Sequence, residues 1–138
     1  MPAFLDTGYL IALEAADDQH HADAIRHWRE FLRNRHELVT TSFVLDEVVT
    51  YFVSRGRHAK AIEIAERLLG SPSVRVIHVD EDIFLTAFDY LRRRPDKRYS
   101  LTECVSFVTM GRLGLRQALA FDTHFAQAGF TIVPAVSA

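Results

Sequence analysis

The chain has 138 residues, of which 49% are hydrophobic and 25% are charged. This length and composition fit one globular domain over residues 1–138 and do not fit a disordered chain. The formal net charge of −2 argues against a protein that coats nucleic acid indiscriminately, although it permits local binding of RNA.

In chain order, the pattern of apolar residues, caps and stop signals predicts an alternation of strands and helices. We predict a strand at 3–5, helices at 8–15 and 20–33, a strand at 37–40, helices at 42–52 and 59–69, a strand at 74–79, helices at 80–91 and 100–113, a strand at 118–121, a short helical turn at 122–126 and a strand at 131–133. Such an alternation is typical of an α/β fold whose parallel sheet is covered on both faces.

The compartment is predicted from what the sequence lacks. Cys104 is the single cysteine, so no intramolecular disulfide can form. The N-terminal residues show neither the basic region nor the long apolar region of a signal peptide. No apolar run approaches the ~18 residues that a membrane-spanning helix needs. We therefore expect a cytoplasmic protein that does not contact a membrane.

Two predicted strands, the first and the fourth, end in the dipeptide Asp-Thr just before a predicted helix. The carboxyl ends of parallel strands meet at one edge of the sheet, where such folds bind ligands. Asp6 and Asp122 should therefore lie on the same rim. Capping of the helix that follows is the structural alternative, because aspartate is favoured at N-caps. Asp80, also at a strand-to-helix junction, is assigned to capping alone and serves as the control.

A third candidate acid, Glu47, lies near the start of the helix that Ser42 is expected to cap. Phe43 and Tyr51 on this helix are apolar, and a carboxylate beside an apolar stripe is costly to bury unless it is paired or binds a cation. Asp46 points about 100° away around the helix and is the rival ligand. The alternative is that both acids are exposed.

The fourth candidate acid, Glu103, ends the sequence Ser100-Leu101-Thr102-Glu103. This sequence matches a capping box, in which Ser100 accepts a hydrogen bond from the backbone amide of Glu103 while the Glu103 side chain reaches back. Glu103 is therefore a candidate for a structural role as well as for a metal site. The hydroxyls of Ser100 and Thr102 are candidates for the outer shell of a metal.

Together these segments resemble the PIN domain and, among PIN domains, the VapC-type toxins of bacterial toxin–antitoxin operons. The resemblance rests on Leu5-Asp6-Thr7, Ser42 with Glu47, Ser100-Leu101-Thr102-Glu103, and Phe121-Asp122-Thr123-His124-Phe125. It spans nearly the whole chain and includes the spacing of the motifs. The fold that it implies is a three-layer α/β/α sandwich around a mostly parallel sheet of four or five strands.

The same resemblance implies an endoribonuclease toxin that hydrolyses RNA phosphodiester bonds with one or two Mg²⁺ or Mn²⁺ ions. It also implies a homodimer and a cognate antitoxin that covers the acidic pocket. Carried over by position, the metal ligands and catalytic residues are Asp6, Glu47, Glu103 and Asp122, with Thr7, Ser42, Ser100, Thr102 and His124 in supporting positions. For His124, contact with a phosphate or leaving group is one interpretation, and a surface histidine is the other.

The chain departs from the family at one position, because Glu103 stands where the family usually has aspartate. The extra methylene moves the carboxylate by roughly 1–1.5 Å, and errors of ~1 Å can cost 10²-fold in rate. Three outcomes are open. The site accepts Glu103 with a displaced ion, or Glu103 serves only its capping box while the other acids bind metal, or activity is weak or lost.

Three rival functions follow from the residues. The segment Phe4-Leu5-Asp6-Thr7 faintly resembles the nucleophile strand of haloacid-dehalogenase-like phosphatases, but Gly8 stands where those enzymes have a second acid. A catalytically impaired PIN-like module that binds RNA or protein is the second rival. A PIN nuclease outside any toxin system is the third.

Overall fold

The computed structural model describes residues 2–34 and 36–135. Within these residues the strands are β1 (Ala3–Leu5), β2 (Leu38–Thr41), β3 (Val74–Ile77), β4 (Gln117–Leu119) and β5 (Thr131–Val133). The helices are α1 (Thr7–Glu14), α2 (His21–Phe31), α3 (Ser42–Ser54), α4 (His58–Gly70), α5 (Glu81–Arg92), α6 (Leu101–Leu113) and α7 (His124–Gln127). Every predicted strand and helix is present, and its ends lie within two residues of the predicted ones.

The five strands form one sheet in the order β3-β2-β1-β4-β5, and each neighbouring pair is parallel. The predicted α/β class and mostly parallel sheet are confirmed, and the sheet proves to be parallel throughout. All residues of β1 and β2 are buried. Because successive side chains of a strand point to opposite faces, burial of every residue means that helices cover both faces at the centre of the sheet.

The structure corrects two element ends that bear on the site. The N-cap of α3 is Thr41, whose side chain accepts a hydrogen bond from the amide of Val44 at 3.2 Å, so the prediction that Ser42 caps this helix is wrong. Strand β4 ends at Leu119 rather than Phe121, and α7 starts at His124. Asp122 therefore lies in the loop between them, and the ring of Phe121, just before it, is stacked between those of Tyr9 and His20.

The loop that carries Asp122 leads into α7, whose residue Phe125 is fully buried. Its ring lies 5.0 Å from that of Phe107 on α6 and 6.3 Å from that of Phe4 on β1, between centroids. Three elements that carry candidate acids are thereby packed against one aromatic side chain, which restricts how far the acids can move relative to one another.

The helices of the described part of the chain are short, and none has the length and apolar character needed to cross a membrane.

Candidate metal centre

The two aspartates from opposite ends of the chain meet at the carboxyl edge of the sheet. Leu5 of β1 is in register with Leu119 of β4, and the amide of Asp6 donates to the carbonyl of Leu119 at 3.1 Å. Asp122 follows Leu119 by three residues. Sheet pairing thus places both acids on one rim, as the topology predicts.

Asp6 occupies the N-cap position of α1, and the amides of Thr7 and Gly8 lower the pKa of its carboxyl without a capping hydrogen bond of ordinary geometry. The residue is only 6% exposed. Burial is the main cause that raises the pKa of Asp6 to about 7, and the charges of Glu103 and Asp122 raise it further, against the amides of Thr7 and Gly8. The electrostatic coupling to both acids indicates that all three carboxylates face a shared space.

Glu103 holds its capping box and contributes to this acidic cluster at the same time. The Ser100 hydroxyl accepts from the Glu103 amide at 3.0 Å, and Glu103 Oε1 accepts from the Ser100 amide at 2.8 Å. The other oxygen, Oε2, lies 2.9 Å from His124 Nδ1. Burial, with a further contribution from Asp122, raises the pKa of Glu103 above its ordinary value. The two interpretations from the sequence are therefore compatible.

His124 is more central than its supporting place in the sequence motif indicates. Its Nδ1 lies 3.4 Å from Asp122 Oδ1, and its backbone amide donates to the same oxygen at 2.8 Å. One ligand atom from each of Glu103, Asp122 and His124 lies within 4.8 Å of the others, close enough to share a metal ion. The position of His124 two residues after Asp122 was the available signal, and it became specific only once Glu103 lay opposite.

Glu47 is connected to the acidic rim through a hydrogen bond from Thr7. The Thr7 hydroxyl donates to Glu47 Oε1 at 2.8 Å, and Thr7 is the chain neighbour of Asp6. Glu47 is half-buried, whereas the rival Asp46 is exposed. Glu47 and Asp6 nevertheless lie outside the compact group formed by Glu103, Asp122 and His124. Glu103, Asp122 and His124 thus form the compact part of the site, Asp6 interacts electrostatically with its two acids, and Glu47 is joined to the rim through Thr7.

The remaining supporting residues have structural contacts. Ser42 Oγ accepts from the amide of Val79 at 2.9 Å, which fixes the chain between β3 and α5. The carbonyl of Thr102 accepts from Ser106 Oγ at 3.0 Å inside α6. A role of the Thr102 hydroxyl near a metal stays a prediction.

The donor set fits a small divalent cation. Among the described residues, His124 is the only basic side chain that pairs with Asp6, Glu103 or Asp122, so no lysine or arginine neutralises them. Carboxylate oxygens are the preferred ligands of Mg²⁺ and Mn²⁺, and imidazole also binds transition metals. Several carboxylates brought together without a cation repel one another, and this repulsion adds to the burial that raises the pKa values of Asp6 and Glu103.

Known proteins resemble this chain over nearly its whole length. The 23S rRNA-specific endonuclease VapC20 of Mycobacterium tuberculosis is 35% identical over 130 residues, which cover 94% of this chain and 96% of the relative. The crystal structure of M. tuberculosis VapC20, described as a sarcin–ricin loop cleaving toxin, aligns with a TM-score of 0.85 at 34% identity, over 94% of this chain and 96% of that one. FitAcB from Neisseria gonorrhoeae shares the fold, with a TM-score of 0.65, 17% identity and 96% of each chain covered.

The family assignment rests on sequence and structure together. Residues 3–131 match the family model of the PIN domain, and the sheet order, the acidic rim and the curated relative agree with it. The chain belongs to the PIN domain family, as its four acidic motifs predicted.

Proposed function

We propose that this protein is a toxin endoribonuclease that uses Mg²⁺ or Mn²⁺ to hydrolyse a phosphodiester bond of RNA. The observation that carries the proposal is the convergence of Asp6, Glu103 and Asp122 at one edge of the sheet with no lysine or arginine partner among the described residues. Membership of the PIN domain family and the 35% identity to a curated rRNA endonuclease support it.

In the proposed mechanism the protein supplies a rigid set of oxygen ligands. Asp6 is fixed at the end of a buried strand, and Thr7 orients Glu47 through its 2.8 Å hydrogen bond. Asp122 is oriented by the His124 amide. A divalent ion bound there would lower the pKa of a coordinated water and neutralise a phosphoryl oxygen. Because its pKa is raised to about 7, Asp6 is partly protonated near neutral pH. Binding of a metal ion would be accompanied by loss of that proton.

Glu103 keeps a ligand role in this proposal despite its extra methylene. Its Oε1 accepts from the Ser100 amide at 2.8 Å and lies 3.1 Å from His124 Nδ1, while Oε2 lies 2.9 Å from the same nitrogen. The capping box thus folds the longer side chain over the helix N-terminus, which shortens its effective reach. We expect Glu103→Asp to lose less than the roughly 10²-fold in rate that a misplacement of ~1 Å can cost.

The substrate that we propose is 23S ribosomal RNA at its sarcin–ricin loop, the target named for the relative VapC20. The proposed place of action is the cytoplasm, where ribosomal RNA resides. A test is incubation of ribosomes with the purified protein and Mg²⁺ or Mn²⁺, followed by primer extension across the rRNAs. A single cut in the sarcin–ricin loop is expected, and cuts elsewhere would contradict the proposed target.

The decisive variants compare acids that lie on the rim with one that does not. Asp6→Asn should abolish cleavage, and EDTA should abolish it in the wild type. Asp46→Asn is the matched control, because Asp46 is exposed and neighbours Glu47; it should cleave as the wild type does. If Asp6→Asn cut RNA at the wild-type rate, the proposed centre would be wrong and an RNA-binding or protein-binding PIN module would be the better explanation.

We further propose a cognate antitoxin that wraps the toxin, so that one part covers the acidic pocket and another docks in the groove between α1, α2 and α4, which none of the four candidate acids lines. A cavity of about 440 Å³ there is lined by Trp28, Phe31 and Leu32, among others, and Leu32 is 58% exposed. An amphipathic segment with apolar anchors fits such a groove. Leu32→Lys should weaken binding of the co-expressed antitoxin in a pull-down and leave RNA cleavage unchanged.

A homodimer is proposed on the exposed face of α5. Phe84, Leu85 and Phe88 are 38%, 53% and 49% exposed, and their spacing places them on neighbouring parts of one helix face. Such apolar patches mark protein interfaces. Sedimentation should give a dimer for the wild type and a monomer for Phe88→Lys; a monomeric wild type would contradict this part of the proposal.

A further inference from the structure

Three aromatic rings form a column beside the acidic rim. The ring of Tyr9 is stacked on that of Phe121, with centroids 5.7 Å apart and planes at 16°. Phe121 is stacked in turn on His20, at 4.3 Å and 5°. Tyr9 is fully buried, whereas His20 is partly exposed. The column therefore runs from the core towards the surface and ends at His20.

The outer end of this column opens into a cavity of about 340 Å³. One face of α2 forms one wall, with His20, Asp23, Arg26, His27 and Glu30. The lining also includes Phe121, on which His20 is stacked, and residues 134–135, which follow β5. This volume falls within the range of small-molecule sites, roughly 300–1,000 Å³.

The column is attached to the candidate metal centre at two points. Phe121 directly precedes Asp122, and Tyr9 follows Asp6 by one turn of α1. The cavity therefore lies at the same carboxyl edge of the sheet as the acids. A nucleotide next to a phosphate held at the acids would be within reach of it.

The charge of the cavity favours a base over a phosphate. Asp23 and Glu30 contribute two carboxylates, and Arg26, the single arginine of the lining, is already paired with Asp23 at 3.3 Å. Burial lowers the pKa of His27, which disfavours a positive charge on its ring, and His27 Nδ1 is engaged by the Tyr9 hydroxyl at 2.7 Å. A wall with excess negative charge repels phosphate, whereas carboxylates accept hydrogen bonds from the amino groups of bases.

We propose that this cavity binds one nucleobase of the RNA substrate, adjacent to the scissile phosphate, stacked on His20. This inference rests on the proposed ribonuclease function. The base continues the column of Tyr9, Phe121 and His20, and its edge faces Asp23 and Glu30. Adenine, guanine or cytosine is accepted there in preference to uracil, which has no amino group. The cavity is thus a specificity pocket for the RNA sequence.

The test uses a sarcin–ricin stem–loop RNA carrying 2-aminopurine at each loop position in turn. Binding is followed in the cleavage-deficient Asp6→Asn background, because stacking quenches the fluorescence of 2-aminopurine. We expect quenching at one position, next to the bond that the wild-type chain cuts. His20→Ala should remove that quenching and weaken RNA binding by about tenfold, whereas His20→Phe, which retains a stacking ring, should preserve both.

Controls separate this pocket from general effects. His58→Ala changes an exposed histidine at the start of α4 and should leave quenching and affinity as they were. Uridine at the quenched position should weaken binding to the His20-intact protein by about tenfold, and Asp23→Ala with Glu30→Ala, which removes both acceptors, should reduce that difference.

Each outcome points to a specific conclusion. Cleavage of the stem–loop by the wild type without position-dependent quenching, or with quenching that survives in His20→Ala, would overturn the base pocket and leave the ribonuclease function standing. No cleavage by the wild type with Mg²⁺ or Mn²⁺ would overturn the ribonuclease function and the pocket with it.

Discussion

Asp6 and Asp80 stand at similar places in the chain and have opposite environments. Each follows a β-strand region and occupies the N-cap position of a helix in an extended conformation. Asp80 is exposed, and its side chain accepts from the Ile83 amide at 2.8 Å. Asp6 is buried, makes no capping bond and has a pKa raised to about 7.

The neighbouring strand explains this difference. Asp80 comes after β3, an edge strand of the sheet, whereas Asp6 comes after the central strand β1, beside the loop that carries Asp122. An aspartate at an edge is free to cap, because water and the helix amides solvate it. An aspartate at the centre meets other acids and little water, so its charge is costly without a cation.

The largest expected difference between the two aspartates is in catalysis. Asp6→Asn removes a ligand charge while preserving size, so RNA cleavage should fall by about a thousandfold or more, as expected when metal stabilisation worth several kcal/mol is lost. Asp80→Asn should cleave at the wild-type rate. Initial rates on a labelled RNA in Mn²⁺ measure both. Equal losses of RNA cleavage in the two variants would mean that Asp6 and Asp80 do not differ in their contribution to catalysis.

The next effect is a pH dependence of stability in the metal-free protein. The pKa of Asp6 rises from 3.8 unfolded to about 7 folded, so folding favours the protonated form. Asp6 should therefore destabilise the protein progressively as pH rises from about 4 to 7, by about 4 kcal/mol in total. Urea unfolding in EDTA across that range measures it. The slope should flatten in Asp6→Asn and stay in Asp80→Asn.

Metal binding should offset part of the destabilisation that the charge of Asp6 causes in the metal-free protein. A divalent ion that binds only the folded chain stabilises it by about 2.7 kcal/mol at a hundred times its Kd. We expect Mn²⁺ to raise the Tm of the wild type and of Asp80→Asn, and to leave that of Asp6→Asn nearly unchanged. A wild-type Tm that does not respond to millimolar Mn²⁺ or Mg²⁺ would count directly against the metal centre.

The smallest effect concerns the cap itself. Asp80→Ala should lower the free energy of unfolding by about 1 kcal/mol, whereas Asp80→Asn should nearly preserve it, because asparagine also caps. Chemical unfolding of both variants checks this expectation. A similar loss in the asparagine variant would indicate that the charge of Asp80, rather than its hydrogen bond to Ile83, stabilises α5.

How far the site could be predicted differs between residues. The capping box of Ser100 and Glu103 depends on residues three apart, and the structure contains it as predicted. Glu47 was the predicted ligand and the adjacent Asp46 its rival, and the structure distinguishes them by the contact of Glu47 with the Thr7 hydroxyl of α1. The partnership of Glu103 with His124 joins residues 21 positions apart, and no local pattern specifies it.

The strands, the helices and the parallel arrangement were determined by the sequence itself, because apolar periodicity and capping residues act over one or two turns of chain. The sequence also assigned Asp80 to capping, whereas only the tertiary structure decided that Asp6 is buried beside Glu103 and Asp122. The physical reason is that the pKa and the solvation of a carboxylate depend on the groups that surround it in space, and in this protein those groups come from β1, α3, α6 and the loop after β4.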